Sequence, residues 1–466
     1  MRDRRKNPHE FKRWYLLHYQ SRYYFWSISL LFISAGYLVS SKLVELLRNA
    51  TVEYLAWIGF GISVVGVVAR IIKAIKSFHE SRYRVGYDGN FDVKRVRVPE
   101  MLQKSGYDIF FGGVVKNIFD NELQLAASIS SKKINKLLWD ISLNHACCFK
   151  VRLPDDYRNN VLGYRRKWRM PVLGRQMLFG VLKRLRVFKD KVIANETKIR
   201  LRADLLLPFT GRELLVGKTD YVSDLLTGQI TGAVIYDNDG GTMYNGYDFA
   251  YDAAEDGLYL KTCMMSQTSS QIGASSLLLG VSRAEKDEGR ISGHIAIVKQ
   301  GLGNLQSGGL LAPSGSGSLD WSDYIDYRDR MILKGMHREL FEETKKGHWE
   351  DLIKGVMVKT VFTGYGRMLH RGGKPEFYGL VVMPRGLDQY DIDKTEKRYV
   401  NGFDLIDVSP LTVDNIIVCL NRYKEINHRN FSHPLHMCVE FAVDFLSENK
   451  DVFIGMIQEV VESMEG

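Results

Sequence analysis

Two long stretches near the N-terminus carry no charged side chain, and they constrain the fold more than any other feature of the chain. Residues 23–41 are uncharged over nineteen positions and residues 54–69 over sixteen, with only 12 residues between the two stretches. A helix needs about 20 predominantly apolar residues to cross the hydrocarbon core of a bilayer. Arg70 ends the second stretch, where its charge can extend toward the headgroups. The pattern predicts a hairpin of two membrane-spanning helices.

Lysine and arginine flank both stretches and predict the orientation of the hairpin. Seven of them precede the first stretch, against two acidic residues, and five follow the second. Cytoplasmic flanks of membrane helices carry the excess of Lys and Arg. We therefore expect a multi-pass protein of the bacterial inner membrane with its N- and C-termini in the cytoplasm. The basic residues are Arg2, Arg4, Arg5, Lys6, Lys12, Arg13 and Arg22 before the hairpin, and Arg70, Lys73, Lys76, Arg82 and Arg84 after it.

Composition indicates an intracellular protein with an anionic partner. The net charge is +10 and the pI is about 9.1, which favours contact with anionic lipid or a polyanionic ligand. Five cysteines without a CxxC spacing argue against both a disulfide framework and a cysteine metal site. Roughly 385 residues remain after the hairpin, which exceeds one typical domain. We expect three parts: 1–80 with the basic N-terminus and hairpin, 81–270 of uncertain fold, and 271–466.

The hexapeptide Arg338-Glu339-Leu340-Phe341-Glu342-Glu343 is the main candidate for a functional site. On a helix, Glu339, Glu342 and Glu343 stand at positions i, i+3 and i+4, so their side chains share one face. Three carboxylates held so close repel one another, which makes Mg2+ or Mn2+ a natural ligand, and Arg338 can orient one of them. The alternative is an acidic helix face that serves only to contact solvent.

This hexapeptide resembles the core of the Nudix box, which reads Arg-Glu-apolar-x-Glu-Glu. Upstream, Gly315 and Gly317 resemble the glycine turn that opens the box, and Asp323 follows Gly317 after five residues. Fourteen residues separate Asp323 from Arg338, seven more than in the family. Seven residues are close to two helical turns, so the insertion would keep the helical face in phase. Lys345 stands where the family has its closing glycine, and the first glycine is Gly347.

The resemblance implies a site and a fold for residues 275–450. Glu339 and Arg338 would be catalytic, Gly315 and Gly317 would contact a bound group, and Glu339, Glu342 and Glu343 would bind the metal. Strands are predicted at 295–300, 356–363 and 377–383, and a closing helix at 433–446. The predicted fold is a membrane α-helical hairpin followed by an α/β (α+β) soluble region. A degenerate Nudix fold, an αβα sandwich, forms the C-terminal side of that region.

The middle of the chain contains a basic segment at 158–191. Eleven Lys or Arg residues there face a single acid, Asp190, with aromatic and apolar residues between them. The pattern is typical of a nucleic-acid surface, a nucleotide pocket or an amphipathic helix on a membrane, and a solvated basic face is the plain alternative. Docking on the inner leaflet is the functional interpretation we favour. Asp237-Asn238-Asp239-Gly240-Gly241 is predicted to be a tight turn rather than a calcium loop.

The order of hairpin, soluble region and Nudix-like unit resembles the transmembrane Nudix effectors of bacterial antiphage signalling known as CBASS. That resemblance implies a cyclic nucleotide second messenger as ligand, inner-membrane lipid as partner, and homo-oligomers on activation that disrupt the membrane. No DNA or RNA partner is expected. The alternative is a membrane-anchored Nudix pyrophosphohydrolase that acts on a nucleoside diphosphate derivative by metal-assisted attack of water. The altered flanks of the box leave binding and hydrolysis both open.

Overall fold

The computed structural model describes ten stretches of the chain and a few isolated positions. The stretches are 84–87, 92–117, 122–153, 196–208, 212–236, 242–283, 291–302, 307–344, 356–384 and 400–464. The basic segment at 158–191 and the turn at 237–241 lie outside the described residues. The first predicted membrane span lies outside them too, and so does the second except for five isolated positions.

Eighteen strands and eight α-helices lie in the described stretches. The strands are β1 Arg84–Tyr87, β2 Val96–Arg97, β3 Tyr107–Lys116, β4 Leu123–Ser131, β5 Lys150–Arg152, β6 Thr197–Leu201, β7 Glu213–Asp220, β8 Ala233–Tyr236, β9 Thr242–Asn245, β10 Tyr251–Ala254, β11 Gly257–Leu260, β12 Gly273–Arg283, β13 Ile291–Gln300, β14 Leu311–Ala312, β15 Gly315–Ser318, β16 Lys359–Met368, β17 Lys374–Pro384 and β18 Val400–Val408. The helices are α1 Glu100–Lys104, α2 Lys132–Asn144, α3 Tyr221–Asp224, α4 Trp321–Tyr327, α5 Met331–Thr344, α6 Val413–Ile426, α7 His433–Glu448 and α8 Lys450–Glu462.

A nine-stranded mixed sheet organises the larger of two compact units, which comprises residues 87–170, 187–233 and 245–466. Its strand order is β14-β13-β12-β17-β16-β4-β3, with β15 also paired to β12 and β18 to β13. Strands β12 and β17 are parallel, with Gly273 opposite Glu376, whereas the other pairs are antiparallel. Strands β3 and β4 from the middle of the chain therefore share one sheet with the strands that follow residue 271.

Helices cover both faces of this sheet, as the contacts of strand β17 show. Its side chains are buried along almost the whole strand, as expected for a strand with both faces covered. Leu380 and Val382 pack with α7 and α8, while Val381 and Met383 pack with Leu340 and Phe341 of α5. The acidic hexapeptide thus lies on the helix that covers one face, with its two apolar residues in the core.

The smaller unit comprises residues 1–86, 171–186 and 234–244, most of which lie outside the described stretches. Strands β1, β8 and β9 form a separate three-stranded sheet in the order β1-β8-β9.

The predicted elements around the hexapeptide are largely confirmed. The strands expected at 295–300, 356–363 and 377–383 correspond to β13, β16 and β17, and the closing helix corresponds to α7. The prediction of a glycine turn before the acidic helix is wrong, because residues Gly315–Ser318 form strand β15. A Cβ on Gly315 would lie 2.3 Å from Leu340 Cα, so glycine lets β15 approach the backbone of α5.

The predicted membrane hairpin is corrected. Within the described stretches, no helix has the length and the apolar character that crossing a bilayer requires. The longest helix there, α7, has 16 residues, about 24 Å at 1.5 Å per residue, against a bilayer core of about 30 Å. Neither the hairpin of the fold prediction nor the multi-pass inner-membrane localisation is retained. The described chain has an α+β fold built on a mixed sheet.

His433, the first residue of α7, is held in its neutral form inside the unit. Its Nδ1 lies 2.6 Å from the carbonyl oxygen of Gly112, and its Nε2 lies 2.6 Å from the hydroxyl of Ser128. An imidazole that donates from Nδ1 to the carbonyl can accept the hydroxyl proton at Nε2. Burial lowers the pKa of His433 to about 4, and the neighbouring His436 adds to the effect.

Replacing Gly315 by alanine should destabilise the fold, because its Cβ would collide with the backbone of α5 rather than with a movable side chain. We expect the free energy of unfolding to fall by about 3 kcal/mol. Gly455→Ala is the matched control, since no atom lies within 4 Å of a Cβ at that helical position. Urea unfolding followed by circular dichroism measures both variants. Equal stability of the two would contradict the close packing of β15 on α5.

Lowering the pH should cost stability through His433. Its pKa is about 4 in the folded chain and about 6.5 in the unfolded chain, so the unfolded state binds more protons between these values. This contribution is complete above pH 6.5 and is lost as the pH falls toward 4. Between pH 7 and pH 5 we expect His433 to account for about 2 kcal/mol. Urea titrations at both pH values should show a smaller difference for His433→Gln than for the wild type, and an identical difference would refute this.

Candidate functional site

The chain reaches the acidic helix through a broken helical segment. Helix α4 starts with a capping box, in which the Asp323 side chain accepts a 2.8 Å hydrogen bond from the backbone N–H of Asp320. A 3-10 turn at Arg328–Arg330 separates α4 from α5, and Arg328 adopts a φ of 30°. The inserted residues therefore do not simply extend one helix by two turns, as the argument about helical phase assumed. The Asp323 carboxylate nevertheless contacts the guanidinium of Arg338 across this turn.

Arg338 is the centre of an ion network that links α4 and α5. Its guanidinium contacts both carboxylate oxygens of Asp323, at 3.1 and 3.3 Å, which is a bidentate arrangement. It also lies 3.0 Å from oxygens of Glu339 and Glu342 and 3.3 Å from Asp320. Burial opposes the charge of Arg338, but the carboxylates of Glu339, Asp323 and Asp320 outweigh it and raise the pKa. The guanidinium of Arg338 is therefore paired with carboxylates of the chain itself.

Glu339 is a largely buried carboxylate of the acidic face, with 13% of its side chain exposed. Burial raises the pKa of this carboxyl, although Arg338 and Lys198 both favour its charged form. A Cβ on Gly317 would lie 1.9 Å from Glu339 Oε2, so this glycine makes room for the carboxylate. Gly315 and Gly317, predicted to contact a bound group, are thus both seen in close contact with α5.

Lys198 is a second cation of the site, and sequence reasoning missed it. It lies on β6, where its Nζ is 2.5 Å from Asp320 and 2.7 Å from Glu196. Burial opposes its charge, but Asp320 and Glu339 raise its pKa. The alternating sequence Lys198-Ile199-Arg200-Leu201 indicates a strand with one charged face. The sequence carries no signal that brings that strand to a helix 140 residues away.

The three glutamates of the hexapeptide have separate partners. Glu339 and Glu342 contact Arg338, and Glu343 accepts a 3.1 Å hydrogen bond from the backbone N–H of Ser316. Glu342 has 44% of its side chain exposed, whereas Glu343 is buried. In the part of the chain that the structure describes, no three His, Cys, Asp or Glu side chains are arranged to hold a metal ion. The Mg2+ or Mn2+ site at Glu339, Glu342 and Glu343 stays a prediction.

The acid excess decides which ligands the acidic face can attract. Five carboxylates, those of Glu196, Asp320, Asp323, Glu339 and Glu342, contact two cations, Arg338 and Lys198. A phosphate that approached this surface would meet carboxylates before it met either cation. The network therefore stabilises the junction of β15, α4 and α5, and it repels anions.

Removing the guanidinium should destabilise the unit strongly. Arg338→Met keeps much of the apolar stem but leaves Asp323 and Glu339 buried without their main cation. We expect the free energy of unfolding to fall by about 3 kcal/mol, as for other buried ion pairs that lose one partner. Arg422→Met, at an exposed arginine on α6, is the control and should change little. Urea unfolding at pH 7 measures both, and a loss below about 1 kcal/mol at Arg338 would place it with surface pairs.

Comparisons with known proteins do not extend the resemblance. The search with protein-family models finds no match to the chain. The search of curated proteins finds no match either. The likeness to the Nudix box therefore depends on the residues and contacts described above.

Proposed function

We propose that this chain is a nucleotide-binding effector of bacterial antiphage cyclic-nucleotide signalling, and that its Nudix-like acidic helix does not hydrolyse nucleotides. The observation that carries the proposal is the closed ion network around Arg338, in which each carboxylate of the hexapeptide already has a partner within the chain. The proposal concerns the recognition of the messenger. It includes no membrane hairpin.

Metal-assisted hydrolysis of a pyrophosphate needs carboxylates that are free to hold a cation and aim a water molecule. Here Arg338 pairs with Glu339 and Glu342, and Glu343 accepts a hydrogen bond from the Ser316 N–H. Recruiting Mg2+ would require these contacts to break and would cost the stability they supply. The arrangement supports a helix kept for the fold rather than for catalysis. The net charge of +10 supports a polyanionic ligand bound elsewhere on the chain.

Pyrophosphohydrolysis is the second candidate, and the contact between Asp323 and Arg338 favours it. Asp323 follows Gly317 by five residues and so stands where the Nudix box has its upstream acid. Its bidentate contact with Arg338 supports this alternative, because the two residues meet despite the residues inserted between them. In this alternative Glu342, the exposed acid, would be the first carboxylate to meet a cation.

The test is turnover and binding on the purified full chain. We expect no release of phosphate or nucleoside monophosphate from a panel of nucleoside diphosphate derivatives with Mg2+ or Mn2+, measured by ion-exchange chromatography. Equilibrium dialysis should show binding of a cyclic nucleotide, and Glu342→Gln should bind as tightly as the wild type, because the acidic helix does not contact the ligand.

Metal-dependent turnover that disappears in Glu342→Gln, but persists in the control Glu425→Gln at an exposed acid of α6, would overturn the proposal in favour of the hydrolase. Absence of both turnover and cyclic-nucleotide binding would overturn both candidates.

A further inference from the structure

A pair of adjacent cysteines lies against the 3-10 turn that separates α4 from α5. The backbone N–H of Phe149, the next residue, donates a 2.8 Å hydrogen bond to the carbonyl oxygen of Asp329 in that turn. Lys334 and His337 of α5 share one helical face, and Lys334 lies roughly 140° around the helix from Glu339. The group is therefore distinct from the acidic network. We call it the Cys148 cluster, and it consists of Cys147, Cys148, Arg330, Lys334, His337 and Thr360.

The two thiols of the cluster have different surroundings. Cys147 is 3% exposed, and its thiol donates to the carbonyl oxygen of Thr360 at 3.5 Å. Burial raises the pKa of the Cys147 thiol to about 12, so this thiol stays protonated at neutral pH. Cys148 is partly exposed. Because a cysteine reacts as its thiolate and has to be accessible to the reagent, Cys148 is the reactive member of the pair.

A guanidinium lies against the accessible thiol. Arg330 Nε donates a 3.3 Å hydrogen bond to Cys148 Sγ, and the Arg330 side chain is itself exposed. The hydrogen bond to Cys148, and then the charge of that sulfur, raise the pKa of Arg330. Guanidinium donors of this kind favour the thiolate form of a cysteine, which is the form that attacks a disulfide.

A second cation and a buried imidazole follow along α5. Burial lowers the pKa of the partly exposed Lys334, and the neighbouring Arg330 lowers it further, so the two positive groups lie close together. His337 is 5% exposed, and its Nε2 lies 2.8 Å from the hydroxyl of Thr360. Burial and Lys334 lower the pKa of His337 to about 3, so the ring is neutral, and its Nδ1 has no hydrogen-bond partner among the described residues. The cluster thus carries positive charge and an unsatisfied polar atom that packing alone does not explain.

The other cysteines lack this combination. Cys263 and Cys438 are 0% exposed, and burial raises the pKa of both thiols. Cys419 on α6 is partly exposed, but its thiol donates to the backbone carbonyl oxygen of Asp407 at 3.6 Å. Among the five cysteines, all of them in the described part of the chain, only Cys148 combines exposure with a contact to a cation.

We propose that Cys148 is a site of reversible thiolation, at which its thiolate exchanges with an anionic low-molecular-weight disulfide of the glutathione type. The Cys148 sulfur attacks one sulfur of the disulfide and bonds to it as the S–S bond of the reagent breaks. The other half leaves as a thiolate and takes up a proton from water. The disulfide supplies the oxidised sulfur, so no separate oxidant is needed. The carboxylates of such a reagent match the positive charges of Arg330 and Lys334.

The adduct would form beside the attachment of β5 to the turn before α5. Besides the contact from Phe149, the Val151 N–H lies 3.3 Å from Asp329 Oδ1. Asp329 and Arg330 both belong to the 3-10 turn, so an adduct that displaces Arg330 from the sulfur acts directly on this junction. Thiolation at Cys148 goes beyond the proposed function and requires no nucleotide.

Thiolation of the reduced full chain by oxidised glutathione tests the site, and peptide mass spectrometry measures the rate at each cysteine. We expect Cys148 to be modified at least tenfold faster than Cys419, the other partly exposed cysteine, and dithiothreitol to reverse the adduct. Cystamine is a cationic disulfide and should narrow this ratio of rates. High salt should narrow it too, because it screens the attraction to Arg330 and Lys334.

Arg330→Met separates the effect of the cation from the exposure of the thiol. We expect Cys148 in this variant to react at least fivefold more slowly with oxidised glutathione, while Cys419 keeps its rate and the melting temperature is unchanged. Arg330→Lys, which keeps the charge, should lie between the two. Arg429→Met, at an exposed arginine outside the cluster, is the matched control and should react like the wild type.

Four results would each overturn the inference. They are modification first at Cys419 or Cys147, an unchanged Cys148 rate in Arg330→Met, a larger ratio of rates with cystamine than with oxidised glutathione, and an internal disulfide between Cys147 and Cys148 in place of the adduct.

Discussion

The bidentate contact between Arg338 and Asp323 is the interaction on which the acidic side of the unit depends. It joins two helices that a 3-10 turn separates, and it brings the capping box of α4 against the acidic face of α5. Glu339, Glu342 and Asp320 contact the same guanidinium, and Lys198 ties β6 to Asp320. Because one arginine serves four carboxylates, any of them that moved toward a ligand would give up its own contact with that guanidinium.

Local sequence patterns predicted the strands and helices near the hexapeptide well, but they did not predict which residues contact the hexapeptide. The buried apolar runs that became β13, β16 and β17 are readable because burial on both faces leaves a continuous apolar sequence. The spacing of Glu339, Glu342 and Glu343 gave a common helical face. That spacing does not say which residues the three glutamates will lie beside. Their surroundings include Lys198, Asp320 and Ser316, which lie on other elements of the chain. Gly315 is typical of a turn in the sequence. In the structure it lies in strand β15, where the absence of a Cβ lets the strand pack closely on α5.

The buried ion pair of Lys374 and Glu376 could not be predicted from the sequence for a related reason. Lys374 and Glu376 are two residues apart on a strand, which by itself is typical of a solvated edge. Their burial depends on β12, which lies alongside in parallel, and on Gly273, which leaves space above its Cα. Gln271 is an unremarkable polar residue in the sequence, within the run Ser269-Ser270-Gln271. Only the packed structure reveals that its amide has been removed from water with no partner among the described residues.

The turn at Arg328–Arg330 has a consequence for how proteins of this kind are recognised. Asp323 and Arg338 are joined across space rather than along one helix, so the number of residues between them is not fixed by the contact. Chains with shorter or longer segments at this point could close the same pair and keep the same acidic helix. Patterns written with fixed spacing would miss them, whereas a comparison of which acid meets which arginine in three dimensions would group them together.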